Sequence, residues 1–177
     1  VNFIKSKVPG VSIPKIYVEF SDAYATTYYD RNTGKLYVSG YANYQDWKDM
    51  SKVLKEYAKF LLEKVLYEDF LPNSSGFSWD QHKDDQTAWV EGFGVFIGSA
   101  VKDYSQMGHM YYDRGPTTQN LDPETQYDVD GTKNDEDICG AVAGILWDLY
   151  DTSNDDQDDD GIGDQYSIPF SYVWNTI

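Results

Sequence analysis

The chain has 177 residues, 41% of them hydrophobic, which is enough apolar material for a single domain, residues 1–177, with its own core. Its formal net charge of −16 repels nucleic acid and anionic membranes, so we expect no nucleic-acid partner. Sixteen tyrosines and five tryptophans argue against disorder, and no apolar run is long enough to predict membrane insertion.

The N-terminal part predicts a small sheet. Residues 13–20 alternate between apolar and polar and are rich in β-branched side chains, which is typical of a strand. Residues 24–29 are a weaker strand candidate. Residues 30–34 (DRNTG) have turn chemistry, and residues 35–41 then form the partner strand of a hairpin.

A long amphipathic helix is predicted next, over residues 47–70. Its apolar side chains recur at three- and four-residue spacing, Asp46 is a suitable N-cap, and Pro72 ends it. The opposite face of this helix carries a polar stripe, which is ordinarily a solvated surface. The stripe consists of Lys48, Lys52, Lys55, Lys59 and Glu63.

Further helices are predicted in the second half of the chain. Residues 86–101 and 137–150 are apolar enough for buried helices, and residues 167–177 begin a final helix or strand. Residues 102–136 between them are polar and predict a long loop. Cys139, the only cysteine, is expected to be a small buried hydrophobe. The fold class is therefore α+β, with a small N-terminal β-hairpin or sheet packed on a mainly helical core.

An acidic run predicts a calcium site. Seven of the fourteen residues from 151 to 164 are aspartate, and residues 156–161 read DQDDDG. Carboxylates at alternate positions can converge on Ca²⁺, a glycine permits the sharp turn, and a backbone carbonyl follows. The predicted ligands are Asp156, Asp158, Asp160, Ile162 and Asp164.

The details of this run differ from those of a sensor EF-hand. Ser167 stands at the twelfth position, where an EF-hand has a bidentate glutamate, so the run is more like the short calcium loops of extracellular modules. Asp151, Asn154 and Asp155 would extend the site or complete a second one. A shorter loop at residues 128–134 carries a lysine and is better interpreted as a polar turn.

Three short segments occur in an order that carries a family resemblance. They are residues 55–59 (KEYAK), 89–92 (WVEG) and 145–151 (ILWDLYD). This order resembles the gluzincin-like zinc metallopeptidases, which have a HEYGH-type helix, a W-x-E-G segment with the third zinc ligand, and a helix like ILWDLYD. The resemblance covers nearly the whole chain and implies a zincin-like helical core.

Within the resemblance, the metal ligands are replaced. Lys55 and Lys59 stand where the two zinc-binding histidines would be, Glu56 where the general base would be, and Glu91 where the third ligand would be. An ammonium group has no lone pair for Zn²⁺ and repels it, so neither zinc nor a catalytic residue is expected. The resemblance therefore implies a pseudo-peptidase in which Lys55 and Lys59 pair with Glu91.

The favoured function is a non-catalytic, calcium-stabilised extracellular domain with a structural or adhesive role, such as a subunit of a surface layer or filament. Its expected partner is another copy of itself or another extracellular protein, and its expected location is outside the cell or on the cell surface. The chain starts at Val1 with no visible signal peptide, as either a processed mature chain or a trimmed chain would.

Two other functions remain open from the sequence. One is an active hydrolase with an atypical site, in which Glu56 and Glu91 form a carboxylate pair beside a lysine of lowered pKa. The other is a calcium-responsive binding module unrelated to peptidases. The distance between Glu56 and Glu91 discriminates between the two scaffolds. A shared cleft would favour the peptidase scaffold, and a wide separation would favour the unrelated binding module.

Overall fold

The computed structural model describes residues 2–40, 50–66, 83–107, 110–113, 118–121, 138–151 and 167–177. These residues form five helices and five strands. The helices are α1 (Asn2–Lys7), α2 (Ser51–Lys64), α3 (Asp85–Tyr104), α4 (Cys139–Tyr150) and α5 (Phe170–Thr176). The strands are β1 (Tyr17–Ser21), β2 (Tyr28–Asp30), β3 (Lys35–Ser39), β4 (Met110–Asp113) and β5 (Thr118–Leu121).

The N-terminal sheet has three strands in the order β1-β3-β2. β3 pairs parallel with β1 and antiparallel with β2, so the predicted hairpin is confirmed and a parallel strand is added to it. Leu36 and Val38 of β3 are buried and share one face of the sheet. This face packs towards the helices, so the predicted α+β class is confirmed.

The hairpin turn is held by Asp30. Its carboxylate accepts hydrogen bonds from the backbone N–H of Asn32 at 2.9 Å and from the hydroxyl of Thr33 at 2.9 Å. The N–H of Gly34 donates to the backbone oxygen of Asp30 at 2.8 Å. The turn chemistry seen in the sequence therefore sets the register of β2 against β3.

The centre of the core is α3, which packs on α2 and on α4. Two of its glycines lie at these contacts. A Cβ atom on Gly92 would lie 2.7 Å from the backbone oxygen of Cys139, and one on Gly94 would lie 2.8 Å from Cγ of Lys55. The glycines cost helix propensity, but they allow both neighbouring helices to approach closely.

Aromatic rings join the two ends of the chain to the core. The ring centroids of Phe3 and Phe170 are 5.0 Å apart, and Phe96 lies 6.0 Å from Phe170 and 5.9 Å from Tyr150. The short helix α1, which the sequence did not predict, is held by this cluster. Edge-to-face and stacked pairs of this kind each stabilise the fold by about 0.5–1.5 kcal/mol beyond the contribution of burying their surface.

Several predicted boundaries were wrong. Met50 has a φ of 68°, in the left-handed region, so no continuous helix runs from residue 47 to residue 70. α2 begins at Ser51 and ends at Lys64, well before Pro72. Within the predicted loop of residues 102–136, β4 and β5 pair antiparallel. The C-terminal segment is helical, as α5.

Candidate functional site

Four charged residues meet inside the helical layer, between α2 and α3. Lys55, Glu56 and Lys59 lie on α2, and Glu91 lies on α3. Their exposed fractions are only 4%, 5%, 8% and 4%, in that order. We call these residues the ion-pair quartet. The solvated surface predicted for the lysine stripe is wrong for these positions, because α3 covers them.

Glu91 is the centre of the quartet. Nζ of Lys55 lies 2.5 Å from Oε2 of Glu91, and Nζ of Lys59 lies 2.6 Å from its Oε1. Each carboxylate oxygen thus accepts a hydrogen bond from a different ammonium group. The expected pairs between the two lysines and Glu91 are therefore present. The i, i+4 spacing of the lysines places both on the face of α2 that meets Glu91.

Glu56 completes the quartet and connects it to the sheet. Its Oε1 accepts a hydrogen bond from Nζ of Lys59 at 2.9 Å and lies 3.6 Å from Nζ of Lys55. Its Oε2 accepts a hydrogen bond from the backbone N–H of Tyr29, in β2, at 3.0 Å. Two ammonium groups thus face two carboxylates, and Glu56 and Glu91 share the Lys59 ammonium as a common partner.

The surrounding charges hold Lys59 and Glu91 in their ionised forms. Burial alone would lower the pKa of Lys59, but the negative charges of Glu56 and Glu91 outweigh this and raise it above its ordinary 10.5. Burial alone would raise the pKa of Glu91, but the charges of Lys55 and Lys59 lower it from 4.5 to about 2. The geometry therefore corresponds to a closed set of buried ion pairs.

The residues of the quartet do not fit a zinc ion. Both oxygens of Glu91 are occupied by ammonium protons, and lysine ammonium groups offer no lone pair to a metal. Across the described ranges, no group of three or more His, Cys, Asp or Glu side chains is placed to hold a metal ion. The four side chains of the quartet therefore offer no set of ligands for zinc, and their charges pair with one another.

Cys139 lies beside this site without taking part in it. It is fully buried. Burial, together with the negative charge of Glu91, raises the pKa of its thiol to about 12. The thiol therefore stays protonated at neutral pH, and it behaves as the small buried hydrophobe that the sequence predicted.

Two further buried lysines were not recognised from the sequence as part of the interior. Lys102, on the last turn of α3, is 3% exposed, and its Nζ donates a hydrogen bond to the hydroxyl of Ser51 at 3.0 Å. Lys52 is 8% exposed. The position of these two lysines relative to apolar neighbours in the sequence did not predict their burial, because only the packing of α2 on α3 encloses them.

The predicted calcium ligands lie outside the described residues, as do Asn154, Asp155, His82 and His109. Of the acidic run, only Asp151 is described. It caps the C-terminal end of α4, its N–H donates to the oxygen of Trp147 at 2.8 Å, and it is 8% exposed. In the part of the chain that the structure describes, no helix is long and apolar enough to cross a membrane.

The quartet predicts a specific dependence of stability on pH. Because the folded-state pKa of Glu91 is lowered to about 2 from 4.5, its ion pairs stabilise the fold above pH 4.5. This stability is lost as the pH falls towards 2. We call the difference in free energy of unfolding between the wild type and a Glu91→Gln variant the stability gap. We expect this gap to be full at neutral pH and to shrink as the pH falls below 4.5. Urea unfolding at several pH values measures the gap; a gap that stays constant down to the lowest value would contradict the assigned ionisation.

Comparison with known proteins gave two matches. Residues 12–171 match the family model described as the Mycolysin C-terminal domain. An uncharacterized protein from Archaeoglobus fulgidus is 31% identical over 105 residues, which cover 57% of this chain and 27% of the archaeal protein. The chain thus spans about a quarter of the length of that relative. No solved structure matches the chain.

Proposed function

Because this chain belongs to the Mycolysin C-terminal domain family, we propose that it is a non-catalytic extracellular domain built on a degenerate metallopeptidase scaffold. Mycolysin itself is a zinc metalloprotease. The observation that carries the proposal is the contact of both Lys55 and Lys59 with Glu91, at 2.5 and 2.6 Å. These are the positions of the three zinc ligands in the resemblance to gluzincin-like peptidases.

The arrangement of Glu56 supports the absence of catalysis. A general base must reach the water that it deprotonates, but the Glu56 carboxylate already accepts hydrogen bonds from Lys59 and from the Tyr29 backbone. The two lysines also carry the charge that a metal would carry in an active peptidase. Glu56 and Glu91 lie together at one site, which favours a peptidase scaffold over an unrelated binding module.

Calcium is the proposed structural ion. The DQDDDG run at residues 156–161 supplies the oxygen ligands at alternate positions that Ca²⁺ prefers. Binding there would neutralise part of a segment with seven aspartates in fourteen residues and would stabilise the region between α4 and α5. The proposed role is structural or adhesive, at a cell surface or in a layer or filament, with a second copy or another extracellular protein as partner.

The test is elemental analysis of the dialysed protein, with calcium and zinc measured together. We expect about one or two calcium ions per chain, no zinc, and no hydrolysis of a general protein substrate. Stoichiometric zinc in the wild-type protein would contradict the proposal and would favour the hydrolase interpretation. An absence of calcium would contradict its calcium part alone.

A pair of double variants tests the scaffold. Replacing Lys55→His and Lys59→His restores two imidazoles at i, i+4 opposite Glu91, and we expect this variant to bind zinc at one per chain. The matched control is Lys52→His with Lys59→His, which adds the same two imidazoles but places only one of them opposite Glu91. Equal zinc uptake by both variants, or none by either, would argue against an inherited zinc-site geometry.

A further inference from the structure

A second candidate site lies away from the ion-pair quartet. An open groove of about 630 Å³ runs between the N-terminal end of α3, the C-terminal half of α4, and α5. Its lining includes Asp85, Trp89, Leu146, Leu149, Val173 and Ile177. This volume and this mainly apolar lining with few polar groups are typical of a binding groove.

The wall formed by α4 presents an apolar ridge beside the groove. Ile145 and Leu149 are 51% and 39% exposed, although α4 has the composition of a fully buried helix. The two side chains are four residues apart and therefore lie one above the other on the same face. Helices that are apolar on all sides are normally covered on all sides, so this face of α4 is suited to contact a further element.

The shape of the groove favours a helix as that element. The described lining residues belong to α3, α4, α5 and the residues directly before and after α5, with no strand edge among them. A ridge at i, i+4 spacing packs into the groove between the ridges of another helix. An amphipathic helix laid in an apolar groove is also a common mode of peptide recognition.

Charge determines which kind of helix is suited to the groove. Among the lining residues that the structure describes, Asp85 is the one ionisable side chain, and Asp84, the N-cap of α3, directly precedes it. The acidic run of residues 151–164 is joined to the end of α4, and the whole chain has a net charge of −16. A second copy of the chain would therefore be repelled from this groove, whereas a basic partner would be attracted to it.

We propose that this groove binds an amphipathic helix of a partner protein, with an apolar face that packs on Ile145, Leu149 and Trp89 and with lysines or arginines beside that face. The site is separate from the ion-pair quartet and does not depend on the proposed loss of catalysis. It identifies a class of partner by chemistry: a helix that is apolar on one side and basic on the other.

Two synthetic helical peptides of about 18 residues test this proposal. One has leucines on one face and lysines on the other, and the second has glutamates in place of the lysines. We expect the leucine–lysine peptide to bind the full chain in calorimetric titrations and the leucine–glutamate peptide not to bind. Ile145→Gln with Leu149→Gln should weaken binding about ten-fold or more, as expected for central apolar contacts.

The control variant is Val18→Gln with Phe20→Gln on β1, where the two apolar side chains are exposed to a similar degree, 58% and 57%. It should bind the lysine peptide as the wild type does. If both variants bind equally, the attraction is unspecific charge and the proposal is wrong. It is also wrong if the lysine peptide does not bind at all.

Two further measurements distinguish the proposed partner helix from other occupants of the groove. The urea midpoint of the Ile145→Gln, Leu149→Gln variant should fall only slightly, because the two side chains are 51% and 39% exposed and bury only part of their surface. A clear fall in the midpoint would mean that another part of the chain fills the groove. Sedimentation at rising concentration should give the same state of association for the wild type and for this variant, and a wild-type dimer that the variant abolishes would mean that a second copy occupies the groove. Either result would overturn the proposal.

Discussion

Replacing Glu91 with glutamine is expected to lower the free energy of unfolding by about 3–5 kcal/mol. The variant keeps the size of the side chain but removes the carboxylate that pairs with both Lys55 and Lys59. Of the two carboxylates of the quartet, only that of Glu56 would then remain beside the two buried ammonium groups. Breaking a buried ion pair from one side is costly because the remaining charge keeps its desolvation cost. Urea unfolding followed by circular dichroism at neutral pH measures the loss.

Two comparisons make this expectation specific. Glu19→Gln breaks the exposed pair with Lys35, 3.3 Å apart, and should change the stability little. A variant that replaces the whole quartet, with Lys55→Met, Glu56→Gln, Lys59→Leu and Glu91→Leu, should recover most of the loss, because no unpaired charge remains. If Glu91→Gln were as mild as Glu19→Gln, the quartet would not be the closed set of contacts described above.

Replacing Gly92 with alanine is expected to destabilise the protein by about 1–3 kcal/mol, as overpacking does in a close-packed core. The added Cβ would lie 2.7 Å from the backbone oxygen of Cys139 and 2.7 Å from Cβ of Val142. Both atoms belong to α4, so relief requires a shift of a whole helix. Thermal and urea unfolding of the variant measure the effect.

Whether Gly92→Ala raises or lowers the free energy of unfolding is informative. Helix propensity alone predicts that Gly→Ala inside a helix stabilises it by about 1 kcal/mol, so a gain in stability would mean that α3 and α4 are not in close contact. Gly94→Ala is the matched comparison on the same helix. Its added Cβ would lie 2.8 Å from Cγ of Lys55, close to the α2 backbone, and 3.2 Å from the Lys55 oxygen. A loss of similar size is therefore expected there, through the contact with α2 instead of α4.

Much of the fold could be predicted because the local signals were strong. Apolar periodicity located α3 and α4 within about three residues of their observed starts. The turn chemistry at Asp30 predicted the hairpin. The paired strands β4 and β5 were missed, since four-residue strands in a polar region have little periodicity to detect. Helix α1 was missed because six residues form a stable helix only through tertiary contacts.

The candidate site was predictable in its residues but not in its environment. Lys55, Glu56 and Lys59 have the spacing of one helix face, and the W-V-E-G segment identified Glu91 as a fourth member. The same spacing on a long polar stripe is equally typical of a solvated surface, and that interpretation was wrong for these lysines. Burial depends on whether another element covers the face, which a single helix cannot reveal.

By itself, the sequence determined the charge, the hairpin, the main helices, and the presence of ammonium groups at positions 55 and 59. Those properties depend on residue type and on spacing within one segment. The tertiary structure alone decided that these ammonium groups are buried, that Glu91 binds both, and that Tyr29 connects the sheet to Glu56. These contacts join residues 27 to 36 positions apart, and the packing of α2 on α3 and on the sheet brings them together.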